Sequence, residues 1–345
     1  MKKRLPVAII LLWCGITMIP AQTGRRSVYH LLNLAPNARA AALGGSVITS
    51  PGSDPSAAYL NPSQLNPLMH NQISLNYSNY LADINYGYLA YARDYGRFGT
   101  WAAGFQYINY GDFIEADEYG TITGNFTAAE YTLTISASYA IDSLFRIGAN
   151  LRPIYSVLER YQSWGISSDL GIYYQSVNHL TGISAVVRNL GTQLSTYATP
   201  EKEPLPYEVM AGMSHKIMHA PFRLHVTLRN LQTFRLRTEE GYQQNDRAGT
   251  SPFWSGVRKY STAAFDHVTA GFEFIPGNLL AFRFSYNFLR RYELRPGLIN
   301  SAAGLSFGAG LNLKWIKINY AFVNYHFSSR AHLISICADL NHFTR

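Results

Sequence analysis

The chain has 345 residues, of which 47% are hydrophobic and only 14% charged, with 25 tyrosines; soluble proteins carry about a quarter charged residues. After the first segment no apolar run approaches the ~18 residues of a spanning helix, which excludes a helical membrane protein and disfavours a cytosolic enzyme. The formal charge of +8 falls to +5 when Lys2, Lys3 and Arg4 are set aside, and no basic helix or compact basic cluster accompanies it, so nucleic acid is not an expected partner.

Residues 1–21 have the layout of a secretory signal: the basic start Lys2-Lys3-Arg4, an apolar centre over 5–19, and a cleavage site at Ile19-Pro20-Ala21. Cys14 falls inside this segment, and Trp13 stands before it where a lipoprotein needs a small residue. With the leader removed only Cys337 remains, so an intramolecular disulfide is excluded. Export to the periplasm or beyond follows.

Residues 22–67 do not alternate and are rich in Ala, Gly, Asn, Pro and Ser. A short helix is expected over 38–43, stopped by Gly44-Gly45. Asp54-Pro55-Ser56 is placed to open a further turn with Asp54 as its cap. Two readings stand for this segment: a periplasmic lead-in, or a plug inserted into a barrel, where small residues pack closely and a polar interior satisfies irregular backbone. The plug is the expectation.

From 68 to 345 the pattern is that of strands. Residues 130–141 set the unit: Tyr131, Leu133, Ile135, Ala137, Tyr139 and Ile141 share one parity, and Thr132, Thr134, Ser136 and Ser138 the other. Successive strand side chains point to opposite faces, so one face is apolar and the other hydroxylic. Twelve residues exceed the usual ~5–6 of a soluble strand and match the ~9–11 that cross a bilayer at a tilt. Similar strands are expected over 72–80, 83–95, 98–110, 144–157, 164–175, 180–190, 207–217, 221–229, 265–275, 279–290, 302–313, 315–325 and 331–343. That gives about 14, an even number as in bacterial single-chain barrels. Short connections at 95–97, 142–143, 176–179, 218–220, 276–278 and 314 alternate with longer ones at 111–129, 158–163, 191–206, 231–264 and 291–301; short periplasmic turns and longer outer loops are the barrel pattern. Arg146, Arg152, Asp169, Arg188, Arg223, Arg229, Glu273, Arg283, Lys317 and Asp339 fall on the less apolar parity, avoiding the ~2–4 kcal/mol cost of a cation facing lipid at mid-membrane. Gly304, Ser306, Gly308 and Gly310 line up on the inward side and leave room for a filled lumen. The basic excess inside reads either as an anion-attracting interior or as hydrogen bonding to plug carbonyls and carboxylates such as Asp54, and the second is favoured.

The run NLAPNARAAALGG from Asn33, which includes Arg39, together with Asn61-Pro62-Ser63 as a variant of an Asn-Pro-Ala motif, resembles the start of FadL-like outer-membrane proteins, in particular the PorV/PorQ group. DINYGYLAYA at 83–92, QYINYGDF at 106–113, DEYGTITGNF at 117–126 and EPLPYE at 203–208 resemble, in this order, the PorQ branch of that group, a component of type IX secretion. The likeness runs over most of the mature chain and is weakest over 231–264. It implies an all-β, FadL-like transmembrane antiparallel barrel in the outer membrane, with an N-terminal plug to which Asn33, Arg39, Asn61, Pro62 and Ser63 belong. It further implies a non-enzymatic role in the attachment complex: holding PorZ at the surface beside PorU and PorV, in contact with outer-membrane lipid. The alternative is a FadL-like transporter of hydrophobic small molecules, which needs a lateral opening; Pro153, inside a strand, is the one candidate break in pairing.

Gly304-Leu305-Ser306-Phe307-Gly308 matches the G-x-S-x-G pattern, but that motif requires a strand-to-helix turn and here more strand follows. His215 and His219 straddle a strand end and a turn, with no acid or Cys nearby to complete a metal site. Neither catalysis, a cofactor nor a metal is expected. Residues 231–264, with Tyr242, Phe253 and Trp254 among mixed charges, read either as a partner-docking surface or as a plain surface loop.

Overall fold

The computed structural model describes residues 27–81, 84–198, 200–237, 252–293, 304–326 and 329–342, with backbone alone at 252–258, 293, 325, 326 and 329. Its strands are β1 (Gln72–Asn79), β2 (Asn85–Asp94), β3 (Thr100–Ala116), β4 (Ile122–Ala140), β5 (Phe145–Leu158), β6 (Tyr161–Gln175) and β7 (Thr181–Ser195). They continue as β8 (Glu208–Lys216), β9 (Phe222–Leu228), β10 (Val268–Phe274), β11 (Leu280–Asn287), β12 (Leu305–Asn312), β13 (Ile316–His326) and β14 (Ser329–Asp339). Each pairs antiparallel with its sequence neighbours, and β1 pairs with β14, so the 14 strands close into a barrel without a free edge. Closure satisfies every wall strand from both sides, as hydrocarbon demands.

The alternation read from the sequence is the alternation of the wall. Leu133, Ile135, Ile147, Leu151, Leu170, Ile172, Phe284 and Ile336 are exposed on the outside, while Thr132, Thr134, Ser136, Asn150, Ser167 and Ser335 are buried within. Rings of Phe105, Tyr131, Tyr155 and Trp164 run across β3 to β6 with centroids 6.3, 6.4 and 4.4 Å apart, an aromatic girdle of the kind that marks a membrane–water boundary. Ile135→Arg is expected to cost about 2–4 kcal/mol, measured as a lower urea midpoint of the barrel refolded into micelles.

Several boundaries differ from the sequence reading; among them, β7 runs to Ser195 into the connection expected over 191–206, and the strand expected over 331–343 ends at Asp339. Residues 111–129 are mostly strand: β3 and β4 run on past their neighbours and meet in a turn at Asp117–Thr121, where Asp117 Oδ1 accepts from the N–H groups of Tyr119 (2.9 Å) and Thr121 (2.8 Å). The connection expected over 158–163 shrinks to Glu159-Arg160, because β5 and β6 pair out to Leu158 and Tyr161. The strand expected over 279–290 ends at Asn287, whose side chain accepts from Arg290 N–H (2.9 Å) at the start of a short helix. Part of the 231–264 loop is also helical. The two outer helices span Pro252–Asp266 and Phe288–Glu293 and meet through Phe265 and Phe288, 5.3 Å apart.

The segment before β1 lies inside the barrel. Helix α1 (Ala38–Ala42) begins at Asn37, whose Oδ1 accepts from Ala40 N–H, and stops where Gly44 and Gly45 turn left-handed (φ 94° and 87°). The outer helices are therefore α2 (Pro252–Asp266) and α3 (Phe288–Glu293). Three short 3-10 turns follow α1, each opened by the same device: Asp54, Asn61 or Asn66 caps with its side chain and Pro stands next. Leu31, Leu32, Ala38 and Ala41 pack against wall residues Tyr86, Ile108, Ile154 and Leu333, so the segment is a plug.

Candidate functional site

Two features of this barrel bear on function: the lock between plug and wall, and the surface that stands beyond the wall. The lock starts from Asn61-Pro62-Ser63. Asn61 Oδ1 accepts from Ser63 N–H (3.0 Å) and Ser63 Oγ (2.6 Å), and its amide donates to Ile48 O (2.9 Å) and to Ser184 Oγ of β7 (3.0 Å). One side chain thus closes its own turn and pins it to the wall. Pro62 fixes the first residue of that turn. The wall comes close enough only because of its glycines: a Cβ on Gly148 would collide with the backbone of Pro62 and Ser63, and one on Gly308 would stand 2.5 Å from Ala42 Cβ. Of the glycine row read from the sequence, Gly308 alone makes room for the plug; a Cβ on Gly310 would meet Asn319 and Arg283 of the wall, and one on Gly304 would meet Asn287 O and Arg291.

The second part of the lock is ionic. Glu273 of β10 accepts from Arg39 Nε (3.0 Å) and Nη2 (2.9 Å), Arg283 Nε (2.8 Å) and His225 Nε2 (3.0 Å), with Arg223 Nη1 at 3.4 Å. One carboxylate from the wall therefore gathers a plug arginine and two wall arginines. Across the lumen, fully buried Arg152 pairs with Asp169 and donates to Tyr59 O; Asp169 Oδ1 also accepts from Asn189 N–H (2.8 Å). Arg188 Nη2 donates to Leu32 O (3.0 Å), and Arg188 shares Glu208 with Arg229, at 3.6 and 2.7 Å. The reading of lumen cations as partners for plug carbonyls holds for Arg152 and Arg188. Their carboxylates come from the wall, not from Asp54, which accepts instead from Ser56 within its own turn.

Of the five plug residues singled out from sequence, four are brought into the lock: Arg39 in the ionic part, Asn61, Pro62 and Ser63 in the turn. Asn33 is exposed at the end of the turn His30–Asn33 and does not join them. Sequence reading passed over Glu208 and Glu130; the latter accepts from Leu31 N–H (3.2 Å). Both lie on the inward parity of their strands, which was the available signal.

Ser306 is buried near the start of β12, opposite Ser285 and Val323, and strand follows it to Asn312, so it does not itself stand on a strand-to-helix turn. His215 Nδ1 meets Thr181 Oγ1 (2.8 Å), and His219 sits in the β8–β9 turn at φ 61°. Tyr242 lies outside the described residues. Phe253 and Trp254 belong to α2, so the expectation of a plain loop is corrected for residues 252–264, and the strand expected from 265 begins at Val268. The C-terminal end of α2 is held by an ion pair of Arg237 with Asp266, and next to it His267 Nδ1 lies 2.6 Å from Arg229 O.

A second surface beyond the wall is the free end of β3 and β4. Past Asn109 the pairing shifts by a bulge at Gly111 (φ 88°), and residues 112–126 form a two-stranded ribbon with no third strand among the described residues. Phe113 and Phe126 stack on it at 5.1 Å; Ile114, Tyr119 and Ile122 are exposed, Tyr119 at 93%. Asp112, Glu115, Asp117 and Glu118 give it a negative charge.

At Pro153, β4 and β5 lack pairs for Leu133–Pro153 and Thr134–Arg152, yet keep one register on both sides. Pro has no N–H for the ladder, and Thr132 Oγ1 donates to Pro153 O (2.9 Å) across the gap. The β5–β6 ladder runs through Pro153 without interruption.

No protein-family model matches the chain, and no curated protein matches it. Among solved structures it is similar to the Ralstonia pickettii toluene transporter TbuX, at 15% identity over 90% of this chain and 100% of that one, with a TM-score of 0.53. It is also similar to the Pseudomonas putida toluene transporter TodX, at 14% identity over 91% and 98%, with a TM-score of 0.51. The likeness shows the fold: a closed 14-strand FadL-like barrel.

Proposed function

We propose that this chain is a non-enzymatic outer-membrane anchor of the PorQ type, delivered by a cleaved leader, that holds a PorZ-like protein at the cell surface beside PorU and PorV in type IX secretion. The observation that carries the reading is the acidic, aromatic ribbon 112–126, which stands free above a wall closed all round and a lumen filled by its plug. A two-stranded ribbon with both edges open offers backbone hydrogen bonds to a partner strand, and exposed rings supply anchors. Of the stretches that resemble the PorQ branch, 117–126 lies on this ribbon and 106–113 leads into it from the wall. The 231–264 region, with Tyr242, Phe253 and Trp254, is the second docking candidate.

The test is a pulldown of the tagged full chain from native outer membranes, with mass identification of the chains that come with it. A variant with 112–126 replaced by a two-residue turn is expected to reach the membrane as a folded barrel and to lose its surface partner. Equal recovery of the partner with and without the ribbon overturns docking there.

The second reading is a channel for hydrophobic small molecules, favoured by the fold shared with two toluene transporters. Liposomes carrying the purified chain separate the two. The anchor reading expects uptake of labelled toluene no faster than in empty liposomes; faster uptake establishes the channel.

A further inference from the structure

Beside the Glu273 cluster, on the side of the short turns, a cavity of about 330 Å³ lies between plug and wall. Its charged lining is Arg39, Arg223, Arg283 and Lys317 against Glu273 and Asp54, an excess of two positive charges. The two carboxylates are already engaged. Glu273 is held by Arg39, Arg283 and His225, and Asp54 by the backbone N–H and hydroxyl of Ser56. Among the described residues, Arg223 makes one ionic contact, at 3.4 Å to Glu273, and Lys317 one hydrogen bond, to Ser53 Oγ. A guanidinium has five N–H donors and an ammonium three, so both side chains keep donors for the cavity.

We propose that this cavity binds a doubly charged anion of the phosphate class, either inorganic phosphate or a phosphate monoester. Three features specify that chemistry. The charge excess of two matches a dianion. Arg223 and Lys317 combine a fork with a point charge, the pair suited to tetrahedral oxyanions. Asn278, Asn312 and Asn319 on the lining add amide donors. The ligand enters from water on the periplasmic side. The cavity reaches Ile275 and Asn278 of the β10–β11 turn, and the wall behind it is paired without a break from β9 to β13, so a lipid headgroup is kept out except at the rim. Bound there, the anion touches plug and wall together and completes the neutralisation that Glu273 begins. The site is independent of the anchor reading.

Isothermal titration of the full chain in dodecyl maltoside micelles with inorganic phosphate, at constant ionic strength set by chloride, tests the proposal. The expected result is saturable one-site binding, weakened about tenfold or more in the Arg223→Gln/Lys317→Gln variant, since charge-assisted hydrogen bonds are the strong ones. Without phosphate the urea midpoint of that variant is expected to equal or exceed that of the unaltered chain, because like charges have been removed while Arg39 and Arg283 keep Glu273. No saturable heat with the unaltered chain, equal affinity in the variant, or a fall in its phosphate-free midpoint overturns the proposal. In a parallel arm, phosphatidylglycerol is added to the micelles. Its failure to compete supports the aqueous source; competition overturns aqueous entry and assigns the phosphate to a lipid headgroup.

Discussion

Glu273→Ala is expected to destabilise the folded barrel by about 3–5 kcal/mol, the usual cost of breaking a buried ion pair from one side. The change strands Arg39, Arg223 and Arg283 around a site that loses the wall carboxylate they share, and takes from His225 its Glu273 acceptor. Arg39 is the plug's share of this cluster, so the loss falls on the join between plug and wall. The urea midpoint of the refolded barrel reads the size of the effect. Limited proteolysis reads its place: new cleavage is expected in the plug, around the 50–54 segment whose Pro51 O accepts from Arg39 Nη1 (3.0 Å). The Arg39→Ala/Glu273→Ala double variant is expected to be less destabilised than the two single changes added together, because residues in one ionic network couple. Strict additivity and an unchanged protease pattern defeat the idea that Glu273 locks the plug.

The wall was legible because the environment imposes it. A strand with hydrocarbon on one face and plug on the other must alternate, and β4 from Ala128 onward, like β11, does so residue by residue. Where the environment stops being two-sided, the signal stops too. The ribbon 112–126 has water on both faces, so Asp112, Phe113, Ile114 and Glu115 follow no lipid-and-lumen pattern, and the segment read as a loop. At the end of β11 the error ran the other way: Phe284, Tyr286 and Phe288 keep step, but Phe288 already belongs to α3 and packs edge-on against Tyr286 at 4.7 Å. The turns of the plug were readable from local chemistry, since Asn and Asp before Pro act within two residues. Its ionic lock was not, because Arg39 and Glu273 lie 234 positions apart. Parity placed both Glu273 and Arg283 inside without saying which cation each acid would meet.

Gly148→Val is expected to open a water path through the lumen. Overpacking a close contact costs about 1–3 kcal/mol where the neighbours can shift, but here the neighbours are the backbone atoms of Pro62 and Ser63. That turn has little room to retreat, since Asn61 ties it to Ile48 O and to Ser184 of the wall. Either β5 bows outward, losing pairs with β4 and β6, or the turn leaves the wall and takes part of the plug with it. Strand pairing joins β5 to both neighbours, unbroken on the β6 side and interrupted on the β4 side at Arg152 and Pro153, whereas the turn is held by a few side-chain bonds worth about 1 kcal/mol each. The turn is therefore the part that yields. A wall of 14 strands encloses more than its own side chains fill, so displacing the plug opens a water path. Planar-bilayer recordings are expected to show a closed unaltered chain and frequent conducting events in Gly148→Val. Gly148→Ala, which adds a single carbon at the same point, should fall between them. A silent Gly148→Val barrel with an unchanged urea midpoint would mean that the plug does not seal the lumen at this contact.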